Sequence, residues 1–147
     1  MPYIRIWIHL IGSTKDRVPL LAKELRQQVI AHIKQNAAKK EIYLDTINSV
    51  SDHVHALLSL RSDQTIAKLA QLLKGESLRW INEQNLIHTK FEWQDEYVAV
   101  SVSESMVDQV REYIKNQGKH HRQKSYAEEF QDFMEKYGFA IVSENPR

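Results

Sequence analysis

Two short stretches of the chain contain residue types that could do chemistry together. The first is DHVHALLSL at residues 52–60, an apolar run that begins with His53 and His55. The second is YIKNQGKHH at residues 113–121, in which Tyr113 precedes Gln117 at helical spacing. Imidazoles and an amide can bind a metal ion, and a phenol can attack a phosphate that such an ion polarises. The surrounding sequence must therefore decide whether the fold brings the two stretches together.

The spacing of the two histidines suits a metal site only if they lie on a strand. Successive side chains of a strand alternate between its faces, so His53 and His55 would share a face with Cα atoms about 6.6 Å apart. In a helix, residues two apart point about 200° from each other and could not bind one ion. Two interpretations fit the strand, a metal site and a pair of structural histidines with hydrogen-bond partners, and the second is the more common.

The amino-acid composition limits the metals and nucleophiles that the chain can offer. It contains no cysteine, which excludes disulfides, thiolate metal ligands and cysteine nucleophiles within this sequence. A further ligand would have to supply oxygen or nitrogen, and this favours Mg²⁺ or Mn²⁺ over a closed structural zinc. We therefore expect any ion at the histidines to be a divalent cation with open coordination positions.

The second stretch supplies a group that a cation could assist. Tyr113, Gln117 and His120 are spaced i, i+4, i+7 and share one face of a helix, with Asn116 beside them. A phenol, with a pKa of about 10, attacks a phosphodiester poorly at neutral pH unless a cation offsets the developing charge. Tyr113 is thus a candidate nucleophile that would form a phosphotyrosine ester. The alternative is a tyrosine at the edge of the core beside a solvated amide.

The distribution of charge is more informative than its sum. The net charge is only +1, but residues 111–124, REYIKNQGKHHRQK, hold five Lys or Arg against one acid. Such a patch suits phosphate binding, although a solvated helix face has the same composition. Candidate phosphate contacts are Lys74, Arg79, Lys115, Lys119, Arg122 and Lys124.

Hydrophobic periodicity predicts the elements that must position these residues. Their order is strand, helix, a hairpin of two strands, helix, strand and two further helices. The βαββαβ part is the split βαβ, or ferredoxin-like, arrangement of the α+β class, with one antiparallel sheet and helices on one face. Its other face stays open to a ligand, an extra helix or a second subunit. The predicted bounds are 3–11, 20–35, 42–50, 53–60, 64–84, 97–102, about 104–118 (the tyrosine helix) and about 126–137.

The length predicts a single domain over residues 1–147, because 147 residues support one sizeable core and are too few for two ordinary domains. The sequence has no long apolar run and no pattern of a secretory signal. We expect a cytoplasmic protein without membrane contact. Ser101 and Glu104 have the spacing of a capping box for the tyrosine helix.

Several segments together resemble one family of enzymes, the single-tyrosine transposases of small bacterial insertion sequences, known as the insertion sequence 200/605 family. HVH at 53–55 resembles its histidine–hydrophobe–histidine (HUH) signature, and YIKNQGKHH resembles its tyrosine helix. The resemblance extends over about residues 3–139. Other segments similar to the family's, in the family's order, are STKDR (13–17), LLKGES (72–77), FEWQDEY (91–97), SVS (101–103) and SYAEEFQDFM (125–134).

The resemblance implies cleavage and rejoining of single-stranded DNA at the ends of an insertion sequence that carries a subterminal hairpin. It implies a 5′-phosphotyrosine intermediate, a free 3′-hydroxyl and a divalent cation, Mg²⁺ or Mn²⁺. It also implies a homodimer in which the tyrosine helix of one subunit can complete the metal site of the other. The implied roles are metal ligand for His53, His55 and Gln117, and nucleophile for Tyr113. Two interpretations fit Asn116, His120 and His121: contact with the scissile phosphate or support of the ligands, and ordinary solvated side chains.

Two other functions fit the sequence. A related single-tyrosine nuclease, retained by the host to process repeat hairpins, would have the same active site. A nucleic-acid-binding protein with structural histidines is an alternative of another class, since ferredoxin-like sheets often bind RNA. The central strands, however, lack the paired aromatic residues that such sheets use for stacking.

Overall fold

A four-stranded antiparallel sheet organises the described part of the chain. The computed structural model describes residues 3–120, 128–129 and 131–132. The strand order is β2-β3-β1-β4, and every neighbouring pair is antiparallel. β3, which begins at His53, and β1 are therefore the central strands. The bounds are β1 Ile6–Thr14, β2 Tyr43–Ser49, β3 His53–Leu60 and β4 Trp93–Val102.

The helices follow the predicted order, and the ferredoxin-like α+β fold is confirmed. α1 spans Lys23–Lys39 and α2 spans Ile66–Glu83. The predicted tyrosine helix consists of a 3₁₀ turn at Glu104–Met106, α3 at Val107–Lys115 and α4 at Gln117–His120. Of the predicted C-terminal helix, residues 128–129 and 131–132 are described and are helical. The rest of that helix lies outside the described residues.

The main core lies between one face of the sheet and helices α1 and α2. Leu10 of β1 and Ala56 and Leu58 of β3 point to this face and are almost fully buried. They alternate along their strands with residues that point to the opposite face, as the period of two requires. The helices contribute buried stripes to the same cluster: Leu25, Val29, Ile33 and Ala37 from α1, and Leu69, Ala70 and Ile81 from α2.

α3 covers the opposite face of the sheet. A second, smaller cluster joins Trp7 of β1 and Leu57 of β3 to the predicted helix stripe of Val107, Val110 and Ile114. The predicted fold leaves this face open to a ligand, an extra helix or a second subunit. In the structure, the tyrosine helix of the same chain occupies it. Both faces of the central strands are consequently buried.

Three details of the predicted elements are wrong. β1 spans Ile6–Thr14 rather than residues 3–11, because Gly12 and Ser13 still pair with β3. β4 begins at Trp93 rather than at residue 97, because the polar residues Gln94 to Glu96 lie on an edge strand where polar side chains can meet solvent. The capping box is absent, because Ser101 lies inside β4 and Glu104 already belongs to the 3₁₀ turn. The residue at the cap, Ser103, makes no side-chain capping bond.

The tyrosine helix is interrupted at Asn116, whose φ of −94° and ψ of 15° separate α3 from α4. The interruption coincides with a tertiary contact. The side-chain amide of Asn48 on β2 donates to the carbonyl oxygens of Ile114 and Lys115, at 3.0 and 3.1 Å. These are carbonyls that a continuing helix would bond to its next turn. Among the described helices, none has the length and apolar character needed to span a membrane.

Candidate active site

His53 and His55 lie side by side on the face of β3 that α3 covers. In the β1–β3 ladder, Ser13 is opposite His53 and Ile11 is opposite His55. The two imidazole rings are 5.2 Å apart between centroids, and the residues are 0% and 1% exposed. Strand alternation thus places both imidazoles on one face, as the spacing predicts.

A carboxylate from the C-terminal region joins the two histidines. Glu129 Oε1 lies 2.7 Å from His55 Nε2, and Glu129 Oε2 lies 3.7 Å from His53 Nε2. One candidate ligand atom from each of the three residues lies within 4.8 Å of the others. Two imidazole nitrogens and a carboxylate oxygen suit a divalent cation such as Mn²⁺. The three residues therefore fit a possible metal site.

Glu129 is absent from the ligands predicted from the sequence. It lies in the tail SYAEEFQDFM, where Glu128 and Glu129 resemble the ordinary polar residues of an amphipathic helix. No local spacing connects this tail to the HVH motif, because their contact is made only by the tertiary fold. The one feature of the sequence that points to the tail is its similarity to a segment of the family, and that similarity assigns no role to Glu129.

The charges within this group favour an ionised Glu129 carboxylate when no metal is bound. Burial alone would raise the pKa of Glu129, but the close approach of His53 and His55 outweighs it and holds that pKa far below its usual range. Burial would lower the pKa of His53, but the hydrogen bond to Asp52 and the nearby carboxylate of Glu129 outweigh it and raise that pKa. A bound cation would replace protons as the positive charge beside Glu129.

Each imidazole is oriented through its second nitrogen. His53 Nδ1 lies 2.7 Å from Asp52 Oδ1. His55 Nδ1 lies 2.9 Å from Nε2 of His9, a fully buried residue of β1. Both histidines consequently turn Nε2 toward Glu129. Neither Asp52 nor His9 is among the predicted site residues.

Tyr113 reaches the same group from α3. Its hydroxyl donates a hydrogen bond to Glu129 Oε1 at 2.6 Å. Its ring lies 5.7 Å from the ring of His55 between centroids, edge to face. The candidate nucleophile and the candidate ligands, which lie far apart in sequence, thus meet within one subunit.

The end of the tyrosine helix is held directly beside His55. Asn48 is the β2 residue opposite His55 in the β2–β3 ladder, and opposed residues of a ladder share a face. From this position Asn48 donates to the carbonyls of Ile114 and Lys115. The backbone on the C-terminal side of Tyr113 is therefore tied to the strand that pairs with the histidine strand.

The middle of α3 is held by an ion pair with β2. The β2–β3 register shifts between Leu44 and Thr46, and the residue between them is Asp45. Arg111 donates from Nε and Nη2 to the two oxygens of Asp45, at 2.8 and 2.9 Å. The hydrogen bond from Arg111 holds the pKa of Asp45 below its usual value. A bulge that re-aims a side chain thus gives α3 a second attachment near Tyr113.

Gln117 is the first residue of α4 and is fully buried. Its Nε2 donates to the carbonyl oxygen of Tyr113 at 3.3 Å. A hard cation would bind Gln117 through Oε1, which is not the atom of this hydrogen bond. Its role as a metal ligand remains a prediction.

The other predicted residues differ in where they lie. Asn116 forms the junction of α3 and α4, and Lys115 is exposed at the end of α3. Lys119 and His120 belong to α4, but their side chains lie outside the described part of the structure. His121, Arg122 and Lys124 also lie outside the described residues.

Lys74 and Arg79 belong to α2, on the face of the sheet opposite the histidines. Lys74 Nζ donates to the backbone carbonyls of Gln94 and Asp95 on β4. Arg79 pairs with Glu76 and Glu83 along its own helix. Both cations thus have intramolecular partners, and their predicted contact with phosphate has no direct support from this geometry.

A family model described as an IS200-like transposase matches residues 3–117. The matched residues include both histidines and Tyr113, whereas Glu129 lies beyond them. The chain belongs to the IS200-like transposase family. It is therefore related to DNA-processing enzymes of insertion sequences.

This IS200-like transposase is 30% identical over 114 residues to ISDra2 transposase TnpA of Deinococcus radiodurans, a match that covers 74% of this chain and 81% of the relative. Its structure is similar to the crystal structure of a protein described as a transposase of Deinococcus radiodurans, with a TM-score of 0.65 and 26% identity over 79% of this chain and 93% of that one. It also shares the fold of a REP-associated tyrosine transposase bound to a REP hairpin, with a TM-score of 0.62 and 14% identity over 82% and 72% of the two chains.

Proposed function

We propose that this IS200-like transposase cleaves and rejoins single-stranded DNA through a covalent bond between Tyr113 and the 5′-phosphate at the cut. The observation that carries the proposal is the contact of the Tyr113 hydroxyl with Glu129, the carboxylate that also contacts His53 and His55. A phenol beside a possible cation site is an arrangement that suits phosphoryl transfer to tyrosine.

The cation that suits these residues is Mg²⁺ or Mn²⁺, and Nε2 of His53 and Nε2 of His55 would hold it together with oxygen ligands. Glu129 is the first candidate for an oxygen ligand, because its carboxylate already contacts both imidazoles. Gln117 Oε1 is the second, on the family resemblance. When bound, the cation polarises the phosphate and offsets the charge that develops on it.

Tyr113 Oη attacks the phosphorus, the bond from phosphorus to the 3′-oxygen breaks, and that oxygen leaves with a proton as the free 3′-hydroxyl. The proton of Tyr113 passes to water or to a nearby base. Glu129 is a weak candidate for this base, because its pKa is held far below its usual range. Orienting the Tyr113 hydroxyl and binding the cation suit it better.

The covalent step also explains how the strands are rejoined. The phosphotyrosine ester keeps the energy of the broken phosphodiester. Attack on this ester by a 3′-hydroxyl restores a phosphodiester and releases Tyr113 without another energy source. Rejoining therefore needs no group beyond those that perform the cleavage.

The DNA substrate is a single strand with a subterminal hairpin, and the protein acts as a homodimer. A hairpin is what the REP-associated relative binds, and the two proteins share a fold. Lys115, exposed at the end of α3, is the described basic residue best situated for a phosphate beside Tyr113. β4 lies at the edge of the described sheet, where a second copy could add its own strand.

The test incubates the protein with an oligonucleotide from an element's end, labelled at either its 5′ or its 3′ terminus, with Mn²⁺ or with chelator. We expect a covalent adduct that carries the 3′ label, together with a released fragment that carries the 5′ label. Chelator and Tyr113→Phe should abolish both products. Tyr3→Phe is the matched control, because Tyr3 precedes β1 and is fully exposed. An adduct formed by Tyr113→Phe, or an adduct that carries the 5′ label, contradicts the assignment of the nucleophile or its polarity.

A further inference from the structure

We infer that His9 is a positioning residue that holds His55 in the tautomer and orientation a metal ion requires. His9 lies on β1 opposite Leu57, on the same face of the sheet as His55. It is 0% exposed, and its Nε2 lies 2.9 Å from His55 Nδ1. The inference rests on the proposed function, because it concerns the metal ligand His55.

The chemistry of imidazole determines what His9 must do. A neutral imidazole has one ring N–H, and a nitrogen that binds a cation cannot be the one that carries it. His55 turns Nε2 toward Glu129, so metal binding there leaves the proton on Nδ1. The buried N–H at His55 Nδ1 then needs an acceptor, and His9 Nε2 lies at hydrogen-bond distance from it. In this arrangement His9 accepts at Nε2 and carries its own ring proton on Nδ1.

The two candidate ligands have partners of different kinds. His53 is supported by Asp52, which precedes it in the chain and whose side chain is 24% exposed. His55 is supported from another strand by a residue with no exposed surface. A second carboxylate at position 9 would place an additional charge in this fully buried environment, at a large desolvation cost. A neutral imidazole supplies the acceptor without that charge.

His9 also packs near the nucleophile, so a test must separate hydrogen bonding from packing. Its ring centroid lies 6.2 Å from that of Tyr113. Phenylalanine retains an aromatic ring at this position and removes the acceptor. Glutamine can place a carbonyl oxygen near the position of Nε2. The pair of variants His9→Phe and His9→Gln therefore changes the acceptor while the site remains filled.

The experiment measures Mn²⁺ affinity by calorimetric titration of the wild type and both variants, with thermal melts of each. We expect His9→Phe to weaken Mn²⁺ binding by about 10- to 100-fold, as loss of a ligand's hydrogen-bond partner commonly does. His9→Gln should bind Mn²⁺ almost as tightly as the wild type. His32→Phe is the control, because His32 stacks on Trp80 at a centroid distance of 4.3 Å, away from the site.

A second measurement covers the case in which His9→Phe does not fold. Long-range ¹H–¹⁵N spectra of the wild type with Mg²⁺ should show the His55 proton on Nδ1 and the His9 proton on its own Nδ1. A proton on His9 Nε2 in that state overturns the inference.

The outcomes separate the role of His9 from the proposed function. Adduct formation and tight Mn²⁺ binding in the wild type, with equally tight binding by His9→Phe, overturn the role of His9 and leave the proposed function intact. Binding as weak in His9→Gln as in His9→Phe shows that restoring an acceptor at position 9 does not restore the metal site, and also overturns the role of His9. A wild type with no saturable Mn²⁺ binding overturns the metal site and, with it, this role of His9.

Discussion

The two faces of the same sheet differ in what they bury. Leu10, Ala56 and Leu58 point to α1 and α2 and join a large, apolar cluster. The residues adjacent to them in sequence, which include His9, His55 and Leu57, point to α3. On that second face, Leu57 belongs to a small apolar cluster, and the histidines meet Glu129 and Tyr113.

This difference teaches that one strand can supply stability on one face and chemistry on the other. Neighbouring residues of β1 and β3 have different roles, core packing or formation of the candidate site, because strand side chains alternate between the two faces. Substitutions on the two faces should consequently affect different properties. On the α3 face they should change metal binding and cleavage, and on the α1 and α2 face they should change the free energy of unfolding. The predictions below test this separation.

The largest effect is expected from His55→Ala. Loss of one imidazole should abolish measurable Mn²⁺ binding and lower the single-turnover rate of adduct formation by about 10³-fold, equivalent to several kcal/mol of lost metal assistance. Binding of the hairpin, measured by gel shift, should remain close to that of the wild type. Equal loss of cleavage and hairpin binding, with a lowered melting temperature, would instead support structural histidines.

Leu58→Ala should produce the opposite result. Leu58 is 2% exposed on the α1 and α2 face, and its truncation should lower the free energy of unfolding by about 2–5 kcal/mol. Urea denaturation measures this loss. At a temperature where the variant is folded, its Mn²⁺ affinity should equal that of the wild type. A weakened Mn²⁺ affinity in folded Leu58→Ala would show that the two faces are coupled.

Replacing a candidate oxygen ligand should weaken Mn²⁺ binding less than replacing a histidine does. Glu129→Gln removes the charge that contacts both histidines and should weaken Mn²⁺ binding by about tenfold. Gln117→Leu should weaken it less, because a neutral amide oxygen is the weaker ligand. Calorimetric titration compares the two variants. If Gln117→Leu proves the more damaging, Gln117 is the principal oxygen ligand and Glu129 is secondary.

The affinity for Mn²⁺ should depend on pH, because His53 titrates on the α3 face of the sheet. Protons and cations compete for His53 Nε2, and contacts with Asp52 and Glu129 raise the pKa of His53 against the opposing effect of burial. Mn²⁺ affinity should therefore increase with pH to values above about 6.5, the ordinary pKa of histidine. Asp52→Asn should move this transition to lower pH. A wild-type transition at or below pH 6.5 would contradict the raised pKa.

Local patterns in the sequence were enough to predict much of this arrangement. Strand alternation predicts that His53 and His55 share a face, and the helical stripe of Val107, Val110 and Ile114 predicts the buried face of α3. Both predictions rest on residue types that repeat with the period of one strand or one helix. The βαββαβ order follows from the same kind of signal, and the structure confirms it.

The remaining parts of the site depend on contacts between distant residues. A lone histidine on β1 and a glutamate in the tail have no pattern that distinguishes them from ordinary core and surface residues, yet His9 and Glu129 both contact His55. The break at Asn116 is similar, because it accompanies hydrogen bonds from the side chain of Asn48 on another strand. Such features follow from the assembled fold rather than from local spacing.

The smallest effects, on melting temperature and on the rate of adduct formation, are expected at the ion pair between Asp45 and Arg111, which joins α3 to β2. A hydrogen bond from Arg111 lowers the pKa of Asp45, so this pair stabilises the fold above the unfolded pKa of about 3.9 and loses its effect as the pH falls through the lower folded value. Asp45→Asn should lower the melting temperature slightly at pH 7 and less at pH 3. It should also slow adduct formation modestly, because Tyr113 lies on the helix that the pair anchors. Asp63→Asn, at a side chain that is 66% exposed, is the control and should change neither property. An equal loss of stability at pH 3 and pH 7 would show that Asp45 acts through packing rather than through its charge.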